Sequence, residues 1–264
     1  MLRWSLINVE PSPNGQARRK GIYLLPNLFT TGCLFAGFYA IISAINGEFE
    51  QSAMAIFVAM VLDGLDGRVA RLTNTESEFG VQYDSLADMI SFGLAPGLIM
   101  FVWSLNELGK LGWLISFVYA AAAALRLARF NTQVGSVDKR FFQGLPSPSA
   151  AAVIAGMVWI GEEYNGGAEG LAVIASVLTL LAGVLMVSNM RYYSFKDIDF
   201  KGKIPFVTLL VMVMVFVFIS IDPPQVLFFM FLVYLCSGPF LTIWGLRQKR
   251  AERRMGGQDT DKKD

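Results

Sequence analysis

The chain has 264 residues, of which 54% are hydrophobic and only 16% charged, with a net charge of +1. That is the composition of an integral membrane protein, and it argues against a water-soluble domain or a nucleic-acid-binding surface. Histidine is absent, which excludes Ser-His-Asp and Cys-His hydrolysis, histidine general-base catalysis and histidine-ligated zinc. In chain order, residues 1–23 form a basic arm with Arg3, Arg18, Arg19 and Lys20, suited to an anionic membrane surface. The arm lacks an apolar core of the kind a cleavable signal peptide needs. A transmembrane domain is expected over 24–246, with eight apolar segments near 24–46, 52–72, 82–104, 112–130, 147–161, 170–189, 204–221 and 224–245. The fifth is short and flanked by Pro146 and Pro148. Residues 247–264 form a charged tail whose composition reads as disordered. Cys33 and Cys236 lie inside apolar segments without metal-ligand spacing and read as packing residues. No internal repeat is visible, which weighs against many transporter folds.

Alternating eight helices with both termini in the cytoplasm places 21 of the 22 Lys and Arg residues inside, leaving only Lys110 outside. The outer loops carry Glu48, Glu50, Glu107, Glu162, Glu163, Glu169 and Asp222 instead. This asymmetry follows the positive-inside rule and puts the polar turn between the second and third segments on the cytoplasmic side.

That turn is flanked by four acids, Asp63, Asp66, Asp84 and Asp88. A carboxylate at helix centre costs roughly 2.5–3.5 kcal/mol on insertion scales, so acids in such segments mark function. Asp63 and Asp66 are spaced i,i+3 and Asp84 and Asp88 i,i+4, so each pair shares a helix face. An antiparallel hairpin brings both pairs to matching depth, ~13–20 Å from the turn. Facing carboxylates at that range repel unless cations lie between them, and hard oxygen donors select Mg²⁺, Mn²⁺ or Ca²⁺. Arg68 and Arg71 are too few to neutralise four acids. Gly64, Gly67 and Ala70 repeat at i,i+3,i+6, and Gly80 precedes Asp84 by one turn. Glycine within a helix costs ~1 kcal/mol relative to alanine. Helix–helix contact is one reason to keep it in a membrane; beside four aspartates, a slot for a flat base and its phosphates is the other. Acids in a membrane also mark ion paths. A channel or transporter is disfavoured because the acids cluster toward one face and none match them in the outer half.

The pattern Asp63-x-x-Asp66-Gly67-x-x-Ala70-Arg71, eight residues, Gly80-x-x-x-Asp84-x-x-x-Asp88 resembles the complete signature of the CDP-alcohol phosphotransferase family. The resemblance implies an all-α helical bundle, which the eight apolar segments extend to about eight transmembrane helices. It also implies transfer of a phosphatidyl or related group from a CDP-linked donor to an alcohol, with release of CMP. Asp63, Asp66, Asp84 and Asp88 would then be ligands of Mg²⁺ or Mn²⁺, two ions in all, with Asp88 also the catalytic base. Gly67, Ala70, Arg71 and Gly80 would bind the donor. Pro26-Asn27-Leu28-Phe29-Thr30 resembles the family's first-helix entry and adds Asn27 and Thr30 to the donor set. Proline and asparagine also open helices for capping reasons alone.

Three further stretches resemble the serine-accepting branch of that family. They are Arg126-Leu127-Ala128-Arg129-Phe130-Asn131, Phe142-Gln143-Gly144-Leu145-Pro146-Ser147-Pro148, and Met186-Val187-Ser188-Asn189 leading to Tyr193-Ser194-Phe195-Lys196. The implied substrates are CDP-diacylglycerol and L-serine, with glycerol 3-phosphate or inositol as the alternative acceptors. Arg126 or Arg129 would offer a fork-shaped donor to the serine carboxylate. Either arginine could instead anchor the helix end among lipid phosphates. The family also implies a homodimer, and the charge asymmetry places both termini and the active site on the cytoplasmic side of the cell (inner) membrane.

Overall fold

The computed structural model describes residues 24–73, 75–132, 141–165, 167–168, 170–193 and 206–258. The basic arm, Lys139, Arg140, Ser194, Phe195, Lys196, Lys201, Lys203 and the last six residues lie outside them. The helices are α1 (Leu24–Ile45), α2 (Phe49–Thr73), α3 (Glu78–Asp88), α4 (Ala95–Trp103), α5 (Lys110–Thr132), α6 (Ser147–Asn165), α7 (Ala172–Val187), α8 (Phe206–Ile221) and α9 (Pro223–Gln258). A π-helical turn, Met89–Leu94, joins α3 to α4, so the two form one rod. Eight helical rods therefore occupy the eight apolar stretches.

Among the described residues, four stretches are long and apolar enough to cross a membrane: Leu25–Ile45, Glu78–Trp103, Lys110–Thr132 and Pro223–Trp244. Ala172–Val187 and Val207–Ile221 are shorter apolar helices. Helix α2 is long enough but holds Glu50, Asp63, Asp66, Arg68 and Arg71, which lower its hydropathy.

Small side chains set the packing. Ala36, Ala40 and Ala44 of α1 are buried with Ser52, Ala53, Ile56 and Ala59 of α2, and Ser52 Oγ donates to the Ala40 carbonyl at 2.6 Å. Close approach through small residues is how membrane helices associate without a hydrophobic drive. Helix α6 is buried from Ala150 to Val158 and packs against α2, α4, α7 and α9, so it is the central post. A helix apolar on all sides belongs in such a place. Helix α8 instead exposes Val207, Leu209, Leu210, Val211, Phe216 and Phe218.

One feature departs from an all-helical reading, and another extends it. Phe141–Gln143 (β1) pairs antiparallel with Arg191–Tyr193 (β2), with Phe142 opposite Tyr192. This short ribbon ties the loop after α5 to the loop after α7. Tyr192 anchors it by donating its hydroxyl to the Leu235 carbonyl on α9 at 3.0 Å. Three-residue strands are too short to show a period in sequence. Helix α9 also continues past Arg247 to Gln258, where charge suggested disorder. Arg247, Gln248, Lys249, Arg250, Glu252, Arg253 and Arg254 are straight-chain residues of good helix propensity.

Candidate active site

Helices α2 and α3 both pack on α1 far more than on each other, so the hairpin is splayed and its acids meet across the gap between the two helices. One carboxylate oxygen from each of Asp63, Asp66 and Asp84 lies within 4.8 Å of the others. Asp66 is buried, and Asp63 and Asp84 are half-buried. Asp66 Oδ2 accepts from Thr30 Oγ1 at 2.8 Å. Thr30, expected on the donor, thus reaches a carboxylate of the cluster and fixes its rotamer.

Asp88 stands one turn deeper, hydrogen-bonded to Asp63 and near Asp84 and Arg126. Its Oδ1 is buried without a hydrogen-bond partner. A buried polar atom left unpaired is costly and calls for a partner the protein alone does not provide. Hard oxygen donors this close, with one oxygen unsatisfied, fit a divalent cation.

The small residues divide by surroundings. A Cβ added at Gly64 or Gly67 would meet nothing within 4 Å, so neither glycine is needed for helix contact. Both border open space beside the acids. Ala70 is half-buried, and exposed Arg71 donates its Nε to the Gly67 carbonyl at 2.9 Å. At Gly80 an added Cβ would come 3.6 Å from Asn27 Oδ1 and 3.2 Å from Ser77 Oγ. Asn27 therefore points at the first turn of α3, which Ser77 caps by accepting the Gly80 N–H at 3.0 Å. Next to it, Thr31 Oγ1 and the Tyr83 hydroxyl share a hydrogen bond of 2.9 Å. Nothing in the spacing pointed to Thr31 or Tyr83.

The two arginines of α5 separate clearly. Arg126 donates Nη1 to Ser147 Oγ at 2.7 Å, keeps a buried Nε without a partner, and lies within electrostatic range of Asp88 and Asp63. Arg129 turns away. Its Nη2 donates to the Val187 carbonyl at 2.9 Å and its Nη1 to Asn189 Oδ1 at 3.3 Å. Gln143 Nε2 donates to the same Asn189 oxygen at 3.1 Å. Asn131 Nδ2 donates to Ser85 Oγ at 3.0 Å, tying the end of α5 to the residue after Asp84. The three distant stretches noted in the sequence, the last of them as far as Tyr193, thus meet one another. Only the contact between them shows that Ser147 belongs to Arg126.

The chain is similar in sequence to known proteins. The family model described as CDP-alcohol phosphatidyltransferase matches residues 23–188. A CDP-diacylglycerol–serine O-phosphatidyltransferase of Helicobacter pylori is 39% identical over 216 residues, covering 81% of this chain and 90% of the relative. A protein of the same name from Mycobacterium tuberculosis is 29% identical over 234 residues, covering 86% of this chain and 81% of the relative. One from Methanocaldococcus jannaschii is 34% identical over 152 residues, covering 58% and 68%.

Proposed function

The chain belongs to the CDP-alcohol phosphatidyltransferase family, and from that membership we propose that it transfers the phosphatidyl group of CDP-diacylglycerol to L-serine, giving a phosphatidylserine and CMP. The names of the relatives support donor and acceptor. The observation that carries the reading is the convergence of Asp63, Asp66 and Asp84 within 4.8 Å, with Asp88 hydrogen-bonded to Asp63 and within electrostatic range of Arg126.

Asp63, Asp66, Asp84 and Asp88 hold the metal. Mg²⁺ or Mn²⁺, as two ions, supplies neutralisation of the pyrophosphate and of the leaving phosphate when bound there. The cytidine seats in the space beside Gly67 and Ala70, with Asn27, Arg71 and the start of α3 at Gly80 around the phosphates. Thr30 keeps Asp66 oriented. The acyl chains stay in lipid beside the splayed α2–α3 pair. Arg126, held by Ser147, offers its guanidinium to the serine carboxylate. Arg129 joins the loops instead. Asp88 accepts the proton of the serine hydroxyl. The serine oxygen forms a bond to the phosphorus bearing diacylglycerol, the bond to the CMP oxygen breaks, and CMP leaves with that electron pair.

All eight rods cross the membrane in this reading. The Lys and Arg distribution supports cytoplasmic termini and a cytoplasmic active site in an inner membrane, and the family likeness supports a homodimer. The test is purified protein in mixed micelles with CDP-diacylglycerol and Mg²⁺ or Mn²⁺, offered labelled serine, glycerol 3-phosphate or inositol. Transfer to serine with CMP release is expected. Transfer to another alcohol would keep the chemistry and discard the acceptor. Absence of CMP release with every acceptor, from folded protein, would sink the enzyme reading.

A further inference from the structure

The rod that carries Asp84 and Asp88 changes its winding immediately after Asp88. The cause is in the sequence. Pro96 has no N–H and its ring crowds the carbonyl four residues earlier, which is that of Phe92. The backbone widens to the π pattern, seen in the bond from the Ala95 N–H to the Ile90 carbonyl. One extra residue in a turn rotates everything beyond it by ~100° relative to an unbroken α-helix. The rod can therefore face its acids toward α2 while its far half packs elsewhere.

The Phe92 carbonyl is left without its ordinary partner at a depth where no water replaces one. Tyr119 of α5 fills the gap: its hydroxyl donates to that carbonyl at 3.0 Å, with both residues fully buried. Helix α5 comes close enough because an added Cβ at Gly97 would already be 3.2 Å from the Ser116 carbonyl oxygen. From the other side, Ser91 Oγ donates to the Cys33 carbonyl of α1 at 3.0 Å. The turn is thus clamped by α5 and α1. Arg126, seven residues after Tyr119 and so on the same face of α5, lies within electrostatic range of Asp88.

We propose that Tyr119 is a positioning residue for the transfer reaction: by holding the Phe92 carbonyl it fixes the π turn, and through it the angle at which Asp88 meets Asp63 and Asp84. The inference rests on the reading of Asp88 as base and metal ligand. A hydroxyl that merely satisfied a buried carbonyl would affect stability and leave turnover of the folded enzyme alone.

The test compares Tyr119→Phe, Ser91→Ala, Asp88→Asn and Thr179→Val as purified full-length proteins. Thr179 is equally buried but bonds only its own helix, at the Ala175 carbonyl, 2.7 Å away. Turnover is measured per folded enzyme, and Mn²⁺ affinity is titrated without substrate from the loss of free Mn²⁺ signal. Tyr119→Phe is expected to lower kcat by roughly tenfold to a hundredfold, with both substrate KM values within about twofold and Mn²⁺ bound more weakly. Ser91→Ala moves the same quantities in the same direction, and Thr179→Val moves neither. Wild-type kcat and Mn²⁺ affinity in folded Tyr119→Phe and Ser91→Ala, beside an inactive Asp88→Asn, would overturn the role of Tyr119 alone. An Asp88→Asn protein with wild-type turnover would overturn the reading of Asp88 on which it rests.

Discussion

The two halves of α2 use the same kinds of small residue for opposite ends. From Ser52 to Ala59 they are buried against α1, where each missing methyl group lets two backbones approach. From Gly64 to Gly67 they border space in which an added side-chain carbon would touch nothing. A glycine or alanine stripe in a membrane helix therefore has no fixed meaning. Its meaning comes from what stands opposite: another helix in the first half, and a cleft lined by carboxylates in the second. The first half builds the scaffold and the second withholds packing so that a ligand can supply it.

Substitutions sharpen this contrast, beginning with the largest effect. Asp66→Asn, or chelation of divalent ions from the wild type, should reduce CMP release to background. Added Mg²⁺ or Mn²⁺ should restore the chelated protein but not the variant. Asp88→Asn should lower kcat by about 10²–10⁴ while CDP-diacylglycerol still binds, as expected for loss of a general base. Arg126→Ala should raise the KM for serine by roughly 10–100-fold, the loss of a charged hydrogen bond. Arg129→Ala should show no serine-specific effect, because that side chain joins Val187 and Asn189. Gly67→Leu should raise the KM for CDP-diacylglycerol about tenfold without lowering the melting temperature, since the added atoms enter open space. Ala53→Leu should do the reverse. Overpacking this buried stretch of α2 costs about 1–3 kcal/mol of stability and should leave the donor KM of folded enzyme unchanged. If the last two variants exchanged phenotypes, the division of α2 into scaffold and slot would be wrong.

Much of this was legible from residue types alone. Four acids at i,i+3 and i,i+4 across a short turn already specify two facing pairs, and three of them do converge within 4.8 Å. The helical segments were visible as apolar runs, four of them long enough to span a membrane and the others short or interrupted by charge. The splay of α2 from α3 was not, because it depends on α1 packing against both. Arg126 and Arg129 were equivalent candidates in sequence, and only tertiary contacts distinguish the one beside Asp88 from the one that ties loops. Thr30 matched a donor-binding position by motif, yet its hydroxyl lies on Asp66. The π turn was hidden for another reason. Pro96 announces a disturbance four residues upstream, but whether a helix kinks, ends or widens depends on what can satisfy the freed carbonyl. Tyr119, lying 27 positions from Phe92, is that partner.

The central claim is that the four carboxylates form a metal centre that drives transfer from CDP-diacylglycerol. The most direct measurement follows Mn²⁺ binding and CMP release on the same purified samples of wild type, Asp66→Asn and Asp84→Asn. The account predicts that the wild type binds Mn²⁺ and releases CMP in proportion to the bound ion, and that both variants lose binding and release together. Full CMP release from either variant, or from metal-free wild type, would contradict it.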